Sequence, residues 1–349
     1  MTSRPLASVQ MITYNHAPYI RRAIDGILSQ RTSFPFELVI GEDCSTDGTR
    51  EIVAEYANRY PGRVRVVTSN QNVGMHKNAR RTFEACRGEV VAFCEGDDFW
   101  HDPRKLEAQV GFLAENPSYG MVHTNYDVNY VVEGKLRKNE ATPNRALRDD
   151  QAYAEVMCGT RRILTLTVCV RRELLELVVR DNPECTDPYW PMGDTQRWLE
   201  LCRIGKVKYL PQSTATYNVL PNSASRSRDP HGQLTFTEKA GRLMLHYLAK
   251  YPLPREQEEL ARRRTAVSVL RAAHAAADRE AAAYWYGELK LAGREIPLAA
   301  RVQFFSVEYS LLRLLSLPIL WSISTATKLR RRAYGSDWIV SPITLNNRN

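Results

Sequence analysis

The chain has 349 residues, 44% of them hydrophobic and 25% charged, which excludes a disordered protein and leaves room for one large folded domain or two moderate ones. Its 48 Lys and Arg against 39 Asp and Glu give a net charge of +9, a surface that favours phosphates, anionic lipid or acidic glycan; with no zinc-finger spacing, RNP-type aromatic motif or arginine-rich arm, no nucleic-acid partner is expected. Seven cysteines (Cys44, Cys86, Cys94, Cys158, Cys169, Cys185 and Cys202) form no C-x-x-C pair, which argues against a disulfide framework and a zinc site and for a reducing compartment.

Met1 to Ser8 carries Arg4 and Pro5 but no apolar run of signal-peptide length, so the expectation is a cytoplasmic protein. From Ala7 onward short apolar runs alternate with amphipathic stretches, the pattern of strand–helix–strand units around a parallel sheet. Ala7 to Tyr14 reads as a strand; Pro18 suits a first helical turn, after which Ile20, Ala23, Ile24, Ile27 and Leu28 share one face. Phe36 to Gly41 reads as a buried strand, Asp43 to Gly48 as a turn, and Ile52, Val53, Tyr56, Ala57 and Tyr60 as a helical stripe. Arg63 to Thr68 returns as strand, and Met75, Ala79, Phe83 and Cys86 keep helical spacing. Glu89 to Cys94 is the next strand, and Asp102 with Pro103 opens a helix carrying Leu106, Val110 and Leu113.

Gly120 to Tyr126 reads as another strand. Asn129 to Asp150 is polar and aperiodic, which predicts a long loop over the active face. Ile163 to Val170 and Val207 to Leu210 read as strands of a mixed extension to the sheet. Composition changes near Pro252: Arg255 to Gly293 is rich in Ala, Arg, Glu and Leu, a helical hairpin that Gly293 ends. The expected division is residues 1–250 for the α/β domain and 251–349 for a helical region. Within the latter, Val302 to Thr327 is apolar but broken by Glu308, Arg313 and Pro318, and its longest charge-free run, Leu314 to Thr327, falls short of the roughly 20 residues that span a bilayer. Lys328, Arg330, Arg331 and Arg332 follow. Two readings stand side by side: an interfacial helix holding residues 302–332 against anionic lipid on the inner face of the plasma membrane, or a helix packed on its own domain or on another subunit of a homo-oligomer.

Ligands of open parallel sheets sit at the carboxyl ends of the strands, and three clusters fall there. Thr13, Tyr14 and Asn15 offer backbone amides, an aromatic face and a side-chain amide suited to a flat base. In Glu42, Asp43, Cys44, Ser45, Thr46, Asp47, Gly48 and Thr49, the residue types also cap helices for local reasons, so Asp47 and Thr49 read as structural and Asp43, nearer the strand, as the ligand contact. The third cluster is Glu95, Gly96, Asp97, Asp98, Phe99 and Trp100. Its three carboxylates in four positions repel one another unless a cation or donors neutralise them. With a diphosphate and waters, such hard oxygens suit magnesium or manganese, which offsets charge building on a nucleoside-diphosphate leaving group.

Taken in order, Thr13-Tyr14-Asn15, the run from Glu42 to Thr49, Asn72-Val73-Gly74, and Glu95 to Trp100 followed by Asp102-Pro103 resemble the family 2 glycosyltransferases of GT-A fold, over roughly Ala7 to Asn222. The resemblance implies a Rossmann-like, mostly parallel sheet flanked by helices and an inverting, Mn2+- or Mg2+-dependent transfer of a hexosyl or N-acetylhexosaminyl group from a nucleotide sugar, most often a UDP-sugar. The acceptor it implies is a glycan, a lipid-linked saccharide or a protein. By position, Thr13, Tyr14 and Asp43 would meet the nucleobase, Asn72, Gly74 and Asn78 the nucleoside, Asp97 the ribose or sugar, and Asp98, with Asp97, the metal; Asn15 and Glu95 are further substrate-binding candidates. Arg80 is a further donor-site candidate, set against a solvated helix face.

Asp194, in Met192-Gly193-Asp194 ahead of a helix bearing Trp198, Leu201 and Cys202, resembles the family's catalytic Asp, which deprotonates the acceptor hydroxyl; the alternative is a helix N-cap. Trp100, Trp190 and Trp198 are candidates for a sugar-stacking platform, or else core. Where the family shows a histidine near a Pro-Gly turn, Tyr217 to Asn222 has none, leaving Asn222, Arg226, Arg228 or His231 to replace it over the diphosphate. Two other functions stay in view. A nucleotidyltransferase also uses acidic metal turns, but it wants a glycine-rich loop after the first strand, and no glycine follows Tyr14 until Gly26. A non-catalytic scaffold would keep a degenerate transferase domain and work through its C-terminal helices.

Overall fold

The computed structural model describes residues 4–140, 147–221, 227–293, 295–309, 319, 322 and 323. They fall into two units: residues 4–140, 147–153 and 162–220 form the first, and 154–161, 221, 227–293 and 295–309 belong to the second.

In chain order the elements up to residue 219 are β1 (Ala7–Thr13), α1 (Ile20–Leu28), β2 (Phe36–Glu42), α2 (Thr49–Arg59), β3 (Val64–Val67), α3 (Met75–Ala85), β4 (Val90–Phe93), β5 (Phe99–Trp100), α4 (Lys105–Glu115), β6 (Tyr119–Tyr130), β7 (Lys135–Arg137), α5 (Ala152–Met157), β8 (Val168–Arg171), α6 (Arg172–Asp181), α7 (Gly193–Ile204) and β9 (Lys206–Val219). The strands make one mixed sheet in the order β3-β2-β1-β4-β8-β6-β9-β5, with β7 paired to β6. β3, β2, β1 and β4 run parallel; β8 is antiparallel to both β4 and β6, and β9 is parallel to β6. This is the expected α/β fold. β2 and β4 flank β1 on opposite sides, so the chain reverses its direction of winding beside β1, where α/β sheets open a ligand crevice.

The parallel half forms because its strands are buried on both faces: Val9 and Met11 of β1 point to one side and the buried polar Ser8 and Gln10 to the other, and Leu38, Val39 and Ile40 of β2 are wholly buried. The stripe Ile20, Ala23, Ile24 and Ile27 seals α1 onto them, each large side chain contributing about 1.5–3 kcal/mol of transfer free energy. Leu106, Val110 and Leu113 do the same for α4. Three segments differ from expectation. The inner face of α3 is Asn78, Ala79 and Thr82 rather than an apolar stripe, and Met75 is exposed; the helix is tied down by polar bonds, Gln10 Nε2 donating to Ala79 O and Asn78 Nδ2 to Gly41 O, both at 2.8 Å. β8 starts only at Val168, after a 3-10 turn at Thr165–Thr167. β9 runs on past Leu210 to Val219, because a bulge carries the ladder from Thr124↔Leu210 to Asn125↔Ser213 over Pro211 and Gln212. The aperiodic stretch after Asn129 begins as a short hairpin, with β7 returning on β6.

In the second unit follow α8 (Pro230–Lys250), α9 (Arg255–Ala276), α10 (Arg279–Leu291) and α11 (Leu298–Glu308), around a core that includes Val269, Leu270, Ala273, Trp285 and Leu289. The hairpin expected from Arg255 to Gly293 is α9 and α10, and Gly293 closes it at φ 68°, the left-handed conformation that ends helices. Asp229 caps α8, accepting from Gly232 N–H at 2.7 Å. All seven cysteines are free and six are buried. Among the described residues no helix is long and apolar enough to cross a membrane. Most of the segment 302–332 read as a membrane or subunit contact lies outside the described residues, as do Asn222 and Arg226.

Candidate active site

The loops after β1 and β2 lock onto each other. Asn15 adopts φ 56°, a left-handed conformation that asparagine tolerates. From there its N–H donates to Ser45 Oγ at 3.0 Å and its Oδ1 accepts from Thr46 N–H at 2.9 Å. Glu42 is fully buried; burial pushes its carboxyl up, but bonds from Ser45 N–H at 2.6 Å and Arg50 Nε at 2.7 Å outweigh this and hold it below its usual range. Asp47 accepts from Ala17 N–H, Thr49 N–H and the Thr49 hydroxyl at 2.6–3.0 Å. Asp43 is buried and takes Val73 N–H and Gly74 N–H at 2.9 Å each, with the Arg81 guanidinium 3.6 Å away. It thereby pins the Asn72–Gly74 loop, where Asn72 Oδ1 also accepts from Gly74 N–H at 2.9 Å.

Arg81, absent from the sequence-based candidates, donates to Asn78 Oδ1 at 2.9 Å and Glu42 O at 2.7 Å, at the end of β2. Arg80 is the correction. It stands on the exposed face of α3, paired with Glu84 one turn on at 2.9 Å, and does not join the group.

The acidic turn lies between β4 and β5. Gly96 permits it, since a Cβ there would lie 2.6 Å from Thr13 Oγ1 at the end of β1. Thr13 is buried, its Oγ1 without a partner among the described residues, whereas Tyr14 beside it is 43% exposed. Asn218 of β9 clamps the turn twice: its N–H donates to an Asp98 carboxylate oxygen at 2.8 Å and its Nδ2 to Asp97 O at 2.6 Å. Asn129 Nδ2, on β6, holds Asn218 Oδ1 at 2.8 Å. Asp98 is 3% exposed; the Asp97 side chain is 22% exposed, 3.9 Å from His16 Nε2. Glu95 Oε2 is buried with no partner among the described residues. Burial, then the carboxylates of Asp97 and Asp194, push the Glu95 carboxyl up to about 8, and burial with Asp97 and Glu95 pushes Asp98 well above the usual range. Among the described residues no three His, Cys, Asp or Glu side chains converge as a ready cage for a metal. An orphaned carboxylate oxygen beside two more carboxylates fits a hard cation that a diphosphate and waters help to coordinate.

β8 runs antiparallel to β4, which returns Thr165 to the same end of the sheet. Its hydroxyl donates to Asp194 Oδ2 at 2.6 Å and lies within hydrogen-bonding reach of Glu95. Asp194 is thus brought to the acidic turn from far along the chain. It is not the helix cap: Met192 occupies that position, and Asp194 sits in the first turn of α7, its Oδ1 accepting from Thr195 N–H at 2.7 Å. Near it, the His76 imidazole bonds the Trp190 backbone, and Arg197 follows one turn later on α7. Neither was singled out in the sequence; no motif marks them.

Two of the three tryptophans are core, which corrects their reading as a sugar platform. Trp100 is 2% exposed, donates from Nε1 to Leu166 O at 3.0 Å and packs against the buried Lys105 amine, 4.3 Å from its ring. Trp198 is equally buried, edge-on to Phe93 at 5.3 Å. Trp190 is partly exposed, edge-on to the exposed Tyr189 at 4.9 Å. Arg228 and His231 are exposed beside the start of α8 in the second unit.

Residues 8–167 match the family model described as Glycosyl transferase family 2. The chain is 31% identical over 227 residues to a putative teichuronic acid biosynthesis glycosyltransferase, TuaG, of Bacillus subtilis, a match covering 64% of this chain and 83% of the relative. It is 39% identical over 166 residues, 48% of its length, to an uncharacterised protein of Mycobacterium tuberculosis, and spans about half of that relative, 47%. Among solved structures, Staphylococcus aureus TarS 1-349 in complex with UDP-GlcNAc aligns at TM-score 0.50 and 16% identity, covering 87% of this chain and 92% of that one. The mannosyltransferase PcManGT from Pyrobaculum calidifontis, in complex with GDP-Man and Mn2+, aligns at TM-score 0.51 and 20% identity, covering 90% and 87%. At those identities the likeness is one of fold.

Proposed function

Because the chain belongs to glycosyl transferase family 2, we propose that it moves a hexosyl or N-acetylhexosaminyl group, with inversion, from a UDP-sugar to an acceptor hydroxyl. The observation that carries this reading is the meeting of Glu95, Asp97 and Asp194 at the carboxyl end of β4, bridged by Thr165. The solved neighbours hold UDP-GlcNAc in one case and GDP-Man with Mn2+ in the other, which supports a nucleotide sugar and a divalent ion. The Bacillus relative is named for teichuronic acid biosynthesis, which supports a glycan or lipid-linked saccharide as acceptor. Six buried free thiols support a reducing, cytoplasmic setting.

In this reading Tyr14 offers its exposed ring to the base, while Asp43 and Arg81 hold the Asn72–Gly74 loop along the nucleoside. Asp97, from the solvent side, and Asp98, fixed by Asn218, would hold Mn2+ or Mg2+. When bound, such an ion offsets the negative charge that collects on the leaving diphosphate. Asp194 accepts the proton of the acceptor hydroxyl as that oxygen bonds to the anomeric carbon on the face opposite the diphosphate, whose oxygen leaves with the bonding electron pair; Thr165 keeps the carboxylate aimed. A thermal-shift screen of UDP- and GDP-sugars with Mn2+ tests the reading. A donor that binds only the folded state adds about 2.7 kcal/mol at a hundred times its Kd, and that gain should require the metal. A chain that responds to no nucleotide sugar would instead be a scaffold.

A further inference from the structure

The amine of Lys105 has no part in the chemistry above. Lys105 opens α4 and is wholly buried. A cation is out of place there on two counts: the first turn of a helix favours anions, and a buried charge costs free energy unless a partner of opposite sign offsets it. Among the described residues Lys105 forms no ion pair. Burial pushes its amine down to about 8. The thiols of Cys169 and Cys94 near it are themselves pushed up by burial and stay neutral, and Asp102 is engaged by Arg104 N–H at 2.9 Å. An apolar side chain of similar length would fill the place at lower cost.

What the amine holds is a turn. Its Nζ donates to Gln109 Oε1, one helical turn on, and lies 3.5 Å from Thr167 O, over the ring of Trp100. Gln109 Nε2 donates to Thr167 O at 2.8 Å and to Val122 O at 3.1 Å, and Trp100 Nε1 to Leu166 O at 3.0 Å. The other carbonyls of the 3-10 turn are taken from within. Leu164 O accepts from Thr167 N–H at 2.9 Å and from its hydroxyl at 2.6 Å, and Thr165 O accepts from Val168 N–H. Every carbonyl from Leu164 to Thr167 is therefore held. The Thr165 hydroxyl is the group that reaches the site, donating to Asp194 Oδ2 at 2.6 Å. Trp100 also ends the acidic turn, two residues past Asp98, so Trp100, Lys105 and Gln109 join that turn to the one that carries Thr165.

We propose that Lys105 is a positioning residue: with Gln109 and Trp100 it fixes the turn at Thr165–Thr167, and through the Thr165 hydroxyl it holds the Asp194 carboxylate in place. The proposal rests on the transferase reading for the role of Asp194. The test compares wild type, Lys105→Met, Thr165→Val and the double variant, each as the full chain. Nucleoside-diphosphate release from UDP- and GDP-sugars in Mn2+, UDP binding by calorimetry and melting temperature are measured for each. Lys105→Met should keep its UDP affinity and melt no lower than wild type, yet lose turnover by about tenfold or more, since displacing a reacting group by about an ångström suffices. Thr165→Val should lose at least as much, and the double variant no more than Thr165→Val alone, as two residues acting in one chain require. Losses that multiply overturn the proposal, as does wild-type turnover in Lys105→Met. So does a lower melting temperature shared by Lys105→Met and Lys105→Leu, which makes the amine a stabilising part of the core. Amide exchange of residues 164–168 in the metal-free protein needs no substrate; it should be about tenfold faster in Lys105→Met, with β1 and β2 unchanged. Unchanged exchange there overturns the brace, whereas faster exchange with no turnover in the wild type supports the brace and counts against the transferase reading.

Discussion

The turns after β2 and β4 have the same ingredients, three carboxylates at the carboxyl end of a parallel strand, and opposite electrostatics. Glu42, Asp43 and Asp47 each receive at least two donors from the turn, from the helix that follows it or from the loops it touches. Glu95 keeps a buried oxygen with no partner among the described residues, and both it and Asp98 are pushed toward the protonated form. The first turn is finished architecture; its charges are consumed in holding loops. The second crowds carboxyl groups that the fold leaves short of donors, and it is the one that meets Asp194. Acidic composition at a strand end is therefore a weak guide to a site. The supply of donors is what separates the two.

The comparison can be broken in several ways. Asp97→Asn and Asp194→Asn should lower transfer by about 10²–10⁴-fold, as loss of a general base or of a metal carboxylate does, with the fold intact by circular dichroism; full activity in either variant would remove that residue from the chemistry. Asp43→Ala should act on the fold instead, lowering stability in urea unfolding by about 2–4 kcal/mol because two backbone N–H groups and Arg81 lose their acceptor. Asp98→Asn should be near neutral or stabilising in the metal-free protein; if the two turns respond alike, the contrast is wrong. Mn2+ alone should raise the melting temperature of the wild type more than that of Asp97→Asn.

The smallest expected effect is on pH. Glu95 binds a proton in the metal-free folded state up to about pH 8, whereas its unperturbed carboxyl titrates near 4.5. Between those values the folded state holds the extra proton, so stability is favoured on the acid side and falls as pH rises through the window. Unfolding in chelator at pH 5 and pH 8 should show that fall, and Glu95→Gln should flatten it.

The parallel half of the sheet was legible because its strands are short apolar-rich runs and α1 and α4 carry clean stripes, as in Ile20 to Ile27. β9 was not, since Pro211 and Gln212 break its pattern and the bulge that carries the ladder past them is a tertiary event. α3 was misread in its inner face for a similar reason: Asn78 and Thr82 are buried by hydrogen bonds that only the neighbouring strands supply. That error also separates Arg80 from Arg81, because adjacent arginines on a helix point in different directions and the inward one is known only once the buried face is. Of the site, the acidic turn and Asp194 could be picked out from residue types and order. Thr165, Asn218 and Asn129 could not, because each acts through a partner distant in sequence. Trp100 and Trp198 look like ligand platforms in a motif and are core in space.

The most direct test is the release of nucleoside diphosphate from UDP-sugars in Mn2+, measured for the wild type and for Asp194→Asn at equal occupancy by donor. The two acidic elements acting as one centre predict normal donor binding and a loss of turnover by at least a hundredfold in the variant. Turnover equal to wild type, or release that proceeds unchanged in chelator, would contradict it.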